Sequence, residues 1–255
     1  MSGIEPLEHD IERLCRSLRL KYIRESFMEL VTTAKAQRWE PAEVLKVLLE
    51  TERAGRDRSE SENRRARAHF PSGKTFSIWE QSKSSVSPAT VSGLRTLEWI
   101  KRKENLVLCG PSGTGKSHLA EALGHLAVDK GMHVAWFNIE DIGSLIRRHR
   151  IDGSISKALL PLTKAHLVII DDLGMLNIST DAQEGLYRII DAAYERRSVL
   201  VSSNLHPSVF DQIMETNLAT ALVDRLLHHA HVVVTEGTSI RLQEATSGMG
   251  VMPLS

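Results

Sequence analysis

The sequence predicts an α/β fold whose core is a central parallel sheet, preceded by a small all-helical domain. Three observations predict it. Short β-branched runs alternate with longer amphipathic stretches from Asn105 onward. Those runs are apolar throughout, the pattern of strands covered on both faces rather than one. Ahead of Thr51 there are no such runs, only apolar residues at helical spacing.

Along the amino-terminal stretch, Leu7, Ile11, Leu14 and Leu18 are followed by Phe27, Leu30 and Val31, then by Val44, Leu45 and Leu48. Pro41 is placed to open the last of these helices, where its missing N–H costs nothing. Residues 1–68 are assigned to this domain. Its final part, TERAGRDRSESENRRARAH, is strongly charged and has no apolar stripe wide enough to pack well. It reads as a solvated helix, a linker, or a basic contact surface carried by Arg64, Arg65 and Arg67. Residues 69–104 form a connector, and PSGKTFSIWEQSKSSVSPATVSG within it, rich in Ser, Gly and Pro around a few aromatic anchors, reads as ordered but irregular.

Residues 105–255 are assigned to the sheet-containing domain. Strands are expected at 106–109, 133–137, 167–170, 199–202 and 231–235, with helices such as 118–129 and 180–196 between them. Alternation of this kind implies a doubly wound sheet with helices on both faces. A chain of 255 residues accommodates such a core and a smaller partner domain.

Lys plus Arg equals Asp plus Glu at 32 each, so any basic surface has to be local. Cys15 and Cys109 lie far apart in apolar contexts, which favours packed, reduced thiols in a cytoplasmic protein over a disulfide or metal site. The charged amino end and the lack of any run of eighteen apolar residues argue against a signal peptide and a membrane span.

Chemistry concentrates at four places. The first is Gly110-Pro111-Ser112-Gly113-Thr114-Gly115-Lys116-Ser117, which fits G-x-x-x-x-G-K-[ST] between an apolar strand and a helix. Gly113 and Gly115 let successive N–H groups turn toward phosphate oxygens, and the following helix presents its positive end to the same anion. Lys116 is placed to reach the β- and γ-phosphates and Ser117 to ligate Mg²⁺. With His118 next on the helix, these residues are the expected ATP contacts. The bland rival, a glycine-rich turn matching by accident, does not account for the strand and helix on either side.

The second place is the run LVII ending in Asp171 and Asp172. Two acids at the end of a buried strand are tolerable where they emerge at the carboxyl edge of a parallel sheet, which is where ligands bind. Asp171 then suits the Mg²⁺ shell and Asp172 the neighbourhood of an attacking water. Asp pairs also cap helices and fill turns. Third, Asn204 ends the run VLVSSN, where its amide is placed to hold that water or merely to cap the turn before Pro207. Fourth, Arg225 in ALVDRLL would by itself be an ordinary surface or salt-bridging arginine.

Taken together and in order, GPSGTGKSHLA, LVIIDDLG, VSSN and VDRLL resemble the DnaC-like branch of the AAA+ ATPases, and most closely the IstB-type helper ATPases of bacterial insertion-sequence transposases. The amino-terminal LRLKYIRESFMELVTTAKAQRWEPAEVLKVLLETE is similar to their small helical domain. The resemblance implies an AAA+ P-loop NTPase core with ATP and Mg²⁺ as cofactors. It makes Lys116 and Ser117 the Walker A residues, Asp171 and Asp172 the Walker B pair, and Asn204 sensor one. It makes Arg225 an arginine offered to the ATP of a neighbouring subunit in a homo-oligomer. Arg241 stands where a second sensor arginine would lie, although the remaining chain is expected to be too short for a full helical lid. Asp172 replaces the Glu common in the wider class and is one methylene shorter, which predicts slow or partner-stimulated turnover.

The same resemblance places Glu140 to Arg150 where initiator-type relatives insert a helix facing DNA. Arg147, Arg148 and Arg150 would neutralise phosphates there with little sequence preference, unless they form only a solvated helix face. The implied function is a helper ATPase that oligomerises on target DNA and delivers it to a partner transposase. The alternatives are a DnaC-type loader whose partner is a replicative helicase, and a nucleotide-gated scaffold that does not hydrolyse.

Overall fold

The computed structural model describes residues 4–151, 153–159, 162–174 and 178–242. The last part of the assigned ATPase domain, residues 243–255, lies outside the described residues. The chain divides between Asn63 and Arg64 into two compact units.

The first unit is helical: α1 (Ile4–Ser17), α2 (Lys21–Gln37) and most of α3 (Pro41–Ala68). Cys15, Ile23 and Phe27 form its buried centre, with Ile11, Leu20 and Leu48 against them. A carboxylate completes the packing. Glu52 of α3 accepts hydrogen bonds from the backbone N–H groups of Tyr22 (2.8 Å) and Ile23 (3.0 Å), satisfying donors that the start of α2 leaves open. Arg56 pairs with the same carboxylate at 2.7 Å and donates to the Arg19 carbonyl at 2.7 Å. The charged stretch after Thr51 is thus helix, continuous with the apolar part of α3. Pairs four apart, such as Arg53 with Asp57, support it without an apolar stripe.

The connector is more regular than its composition predicts. It holds α4 (Pro88–Arg95) and α5 (Glu98–Lys101). The Ser87 hydroxyl accepts from the Thr90 N–H at 3.1 Å and Pro88 supplies the first turn, so α4 starts on an N-cap and proline signal masked by the surrounding serines.

Beyond it, β1 (Asn105–Cys109), α6 (Lys116–Asp129), β2 (Val134–Asn138), α7 (Ile139–Arg150), α8 (Ile155–Ala158), β3 (Leu167–Leu173), α9 (Thr180–Ala193), β4 (Ser198–Ser203), α10 (Thr216–Leu227) and β5 (Ala230–Val234) follow in order. The five strands form one sheet in the order β2-β3-β4-β1-β5, and every neighbouring pair is parallel. Alternation along each strand splits the core in two. Val107, Cys109, Val168 and Ile170 face a layer built from α7, α9 and α10, while Leu106, Leu108, Leu167 and Ile169 face α6 and the connector. β1, β3 and β4 are interior strands whose apolar residues are almost wholly buried, which is why they read as unbroken apolar runs. Both cysteines are buried and free. Among the described residues, no helix is long and apolar enough to cross a membrane.

Candidate nucleotide-binding site

The loop from Gly110 to Gly115 joins the carboxyl end of β1 to the start of α6. Its glycines are required by backbone and by space. Gly110, Gly113 and Gly115 have φ of +142°, +82° and +91°, where a Cβ is strained. A Cβ on Gly110 would stand 2.1 Å from the Thr235 carbonyl oxygen, and one on Gly113 would stand 2.1 Å from Ser239 Oγ. The segment after β5 therefore closes on the loop. Ile240 donates to the Gly113 carbonyl at 3.0 Å and Thr235 to that of Cys109 at 2.7 Å. Thr114, 4% exposed, shares a 2.7 Å hydrogen bond with Thr235 Oγ1.

Lys116 opens α6 and is 5% exposed. Its ammonium donates to the carbonyls of Gly110 and Pro111 at 2.7 Å each and to Asn204 Oδ1 at 2.9 Å. Burial lowers its pKa, and the carboxylates of Asp172 and Asp171 pull it back up. The sheet register explains the meeting with Asn204, because β4 pairs with β1 and both end at the same edge. There the Gly110 N–H donates to the Ser203 carbonyl at 3.2 Å and Asn204 N–H to that of Leu173 at 3.0 Å.

β3 runs beyond the expected 167–170 to Leu173 and carries both acids at its tip. Asp171 is 7% exposed. Burial pushes its carboxyl pKa up, a push that hydrogen bonds from Ser202 and Ser117 oppose and the charge of Asp172 reinforces. Ser202 is wholly buried on β4; its hydroxyl donates to Asp171 and accepts from the Asp172 N–H at 3.1 Å. The β3 register slips between Ile170 and Leu173, and Asp172 adopts φ of +60° at that irregularity. One acid is thereby kept inside beside Ser117 while the next is turned outward.

A cleft of about 290 Å³ lies over these groups, lined by Ser112, Gly113, Gly115, Lys116, Ser117, His118 and Asp172. Arg241 lines it too, and its charge acts against that of Lys116. So does Lys74, a residue the sequence did not single out. His118 Nε2 lies 3.3 Å from the Thr75 carbonyl, and its ring meets Trp79 edge-on at 5.1 Å. The residues fit ATP with magnesium. A cradle that a Cβ would fill faces an ammonium, and Ser117 and Asp171, a hydroxyl and a carboxylate, form the oxygen donor set that Mg²⁺ takes.

Arg225 is not among the residues lining this cleft. On α10 it pairs with Asp191 of α9 at 3.1 Å, lies over the Tyr187 ring at 5.3 Å and donates to the Ala221 carbonyl at 3.1 Å. The arginines of α7 are also mostly engaged. Arg147 pairs with Asp181 at 3.2 Å, and Arg150 pairs with Asp181 at 2.6 Å and with Glu184. Arg148 is exposed on the same last turn. In the preceding segment Arg65 pairs with Asp129 at 2.5 Å, while Arg67 is exposed.

A phosphate loop between the first strand and α6, with an acid pair at the tip of β3 on a parallel sheet ordered β2-β3-β4-β1-β5, defines a P-loop nucleotide-binding protein. A solved structure agrees in fold: DnaA from Aquifex aeolicus bound to AMPPCP superposes with a TM-score of 0.54 at 19% identity, over 71% of this chain and 56% of that one. The chain thus spans little more than half the length of that initiator. More specifically, the chain belongs to the family of IstB-like ATP binding proteins, whose model matches residues 14–248. An insertion sequence IS21 ATP-binding protein of Pseudomonas aeruginosa is 29% identical over 238 residues, covering 92% of this chain and 90% of that one. An insertion sequence ATP-binding protein of Sinorhizobium fredii is 31% identical over 241 residues, covering 92% and 97%.

Proposed function

We propose that this protein is the ATP-driven helper of an insertion sequence, which assembles on target DNA and delivers it to a partner transposase. One observation carries the reading: Lys116, Ser117, Asp171, Asp172 and Asn204 converge at one sheet edge, while Arg225 stands apart from them. The first five suit the binding and cleavage of ATP. The last stands outside its own cleft, paired with Asp191 on α9, and in this reading exchanges that contact for the nucleotide of another subunit.

In this reading the loop amides and Lys116 hold the β- and γ-phosphates, and Lys116 exchanges some of its carbonyl contacts for phosphate oxygens. Ser117 and Asp171 hold Mg²⁺, which when bound offsets charge on the phosphoryl group. Ser202 keeps the Asp171 carboxylate in place. Asp172, turned outward at the end of β3, and Asn204, at the end of β4, orient the attacking water. Arg225 of a neighbour stabilises the transferring charge, which makes turnover depend on assembly. Arg148, with Arg147 and Arg150 beside it, offers phosphate contacts without base reading.

Sizing the protein with ATP and duplex DNA tests this. Large assemblies are expected, and Arg225→Ala is expected to lack them while still binding ATP. Unchanged assembly in that variant contradicts the trans arginine.

A further inference from the structure

We propose that Lys74 is a second lysine of the nucleotide site, contacting the ATP polyphosphate, and that Glu121 is the positioning residue that holds it there. The inference rests on the ATP-binding reading above and adds to it a contact from outside the phosphate loop.

Lys74 lies in the connector, far in sequence from the loop, yet it lines the same cleft as Lys116, Ser117 and Asp172. The turn that carries it is anchored unusually well. Glu121, on α6 just beyond Lys116 and Ser117, is 1% exposed. Its carboxylate accepts from the Ser72 N–H at 3.0 Å, the Ser72 hydroxyl at 2.6 Å and the Gly73 N–H at 2.5 Å. The Lys74 N–H donates to it as well. Gly73 takes φ of +71°, which lets consecutive N–H groups converge on one carboxylate.

A buried carboxylate is costly unless its oxygens are satisfied, and here backbone and hydroxyl donors satisfy it. Burial alone raises its pKa, but the Ser72 hydroxyl and the N–H groups of Ser72, Gly73 and Lys74 hold it below the usual carboxylate value. It is therefore charged at neutral pH and locks the turn onto the phosphate-loop helix itself. Lys74 lines the cleft from a turn fastened to the same helix that begins at Lys116. Lys74, Lys116 and Arg241 then face the cleft with Asp172 as the acid on its wall, a balance suited to a polyanion.

The test uses the full-length protein and mant-ATP with Mg²⁺. Lys74→Ala is expected to raise the dissociation constant about tenfold, the scale of one charge-assisted hydrogen bond. Lys74→Arg should recover most of the loss, and Lys74→Glu should bind more weakly than Lys74→Ala. Glu121→Gln should weaken binding in the same direction, and joining it to Lys74→Ala should add little, because both changes remove one contact. The nucleotide-free thermal midpoint of Lys74→Ala should match the parent, since the anchoring bonds use backbone and Ser72 rather than the lysine side chain. If Lys74→Ala binds mant-ATP as the parent does while Lys116→Ala does not, Lys74 is no part of the site. If Lys116→Ala also binds unchanged, the nucleotide reading fails, and this inference with it.

Discussion

The ammonium of Lys116 donates to Asn204 Oδ1 at 2.9 Å, tying the phosphate loop after β1 to the end of β4. Neighbouring parallel strands end at one edge, so two residues 88 apart in sequence meet where the reaction is proposed to take place.

Asn204→Ala is therefore expected to separate binding from turnover. Lys116 retains its two carbonyl partners, so ATP affinity should change only a few-fold, whereas losing an oriented donor at the reaction centre should slow hydrolysis by about a hundredfold. Mant-ATP titration beside phosphate release at saturating ATP measures the two. Weakened affinity with unchanged phosphate release at saturating ATP would show that Asn204 serves binding alone.

Arg225 can be tested by mixing subunits. Lys116→Ala and Arg225→Ala variants should each be nearly inactive, yet together regain part of the parent's phosphate release, because some interfaces then pair an intact loop with an intact arginine. No recovery on mixing would place Arg225 with its own subunit's chemistry. The Asp191 and Tyr187 contacts that hold it on α9 should make Arg225→Ala slightly less stable as well.

The α7 arginines should not behave alike. Arg148→Ala should weaken duplex binding and reduce the slope of log affinity against log salt by about 0.9, one phosphate contact. Arg150→Ala should also lower the thermal midpoint, since that side chain bridges α7 to Asp181 and Glu184 on α9. Identical salt slopes in parent and Arg148→Ala would remove Arg148 from the DNA contact.

Acid should loosen the sheet edge through Glu104. The Arg102 guanidinium, and then His231 of β5, lower its pKa from 4.5 to about 2. A depressed carboxylate contributes its full stability above the unfolded pKa and loses it as pH falls through the folded one. The contribution is thus complete above 4.5 and fades from there toward about 2. The protection of β5 amides relative to their intrinsic exchange at each pH should fall over that interval, and Glu104→Gln should remove that fall.

Much of the candidate site was legible because the apolar runs of β1, β3 and β4 change abruptly to polar at Gly110, Asp171 and Asn204, and in a parallel sheet the ends of such runs are where ligands bind. The helix after Thr51 was ambiguous because it is held by charge pairs along its own surface rather than by an apolar stripe. Ser202 was hidden inside an apolar run, its role depending on facing Asp171 across the sheet. Glu121 and Lys74 were illegible for a similar reason: a carboxylate inside a helix pattern reads as a solvated face until a turn 48 residues away folds onto it. Only the engagement of Arg147 and Arg150 by Asp181 and Glu184, from a different helix, distinguishes them from Arg148.

The claim on which the rest depends is that the loop around Thr114 holds a magnesium-bound triphosphate. Titration of the monodisperse protein with mant-ATP, with and without Mg²⁺, tests it most directly. The account predicts saturable, magnesium-strengthened binding that Lys116→Ala lowers at least tenfold. No binding by the parent, or equal binding by Lys116→Ala, would contradict it.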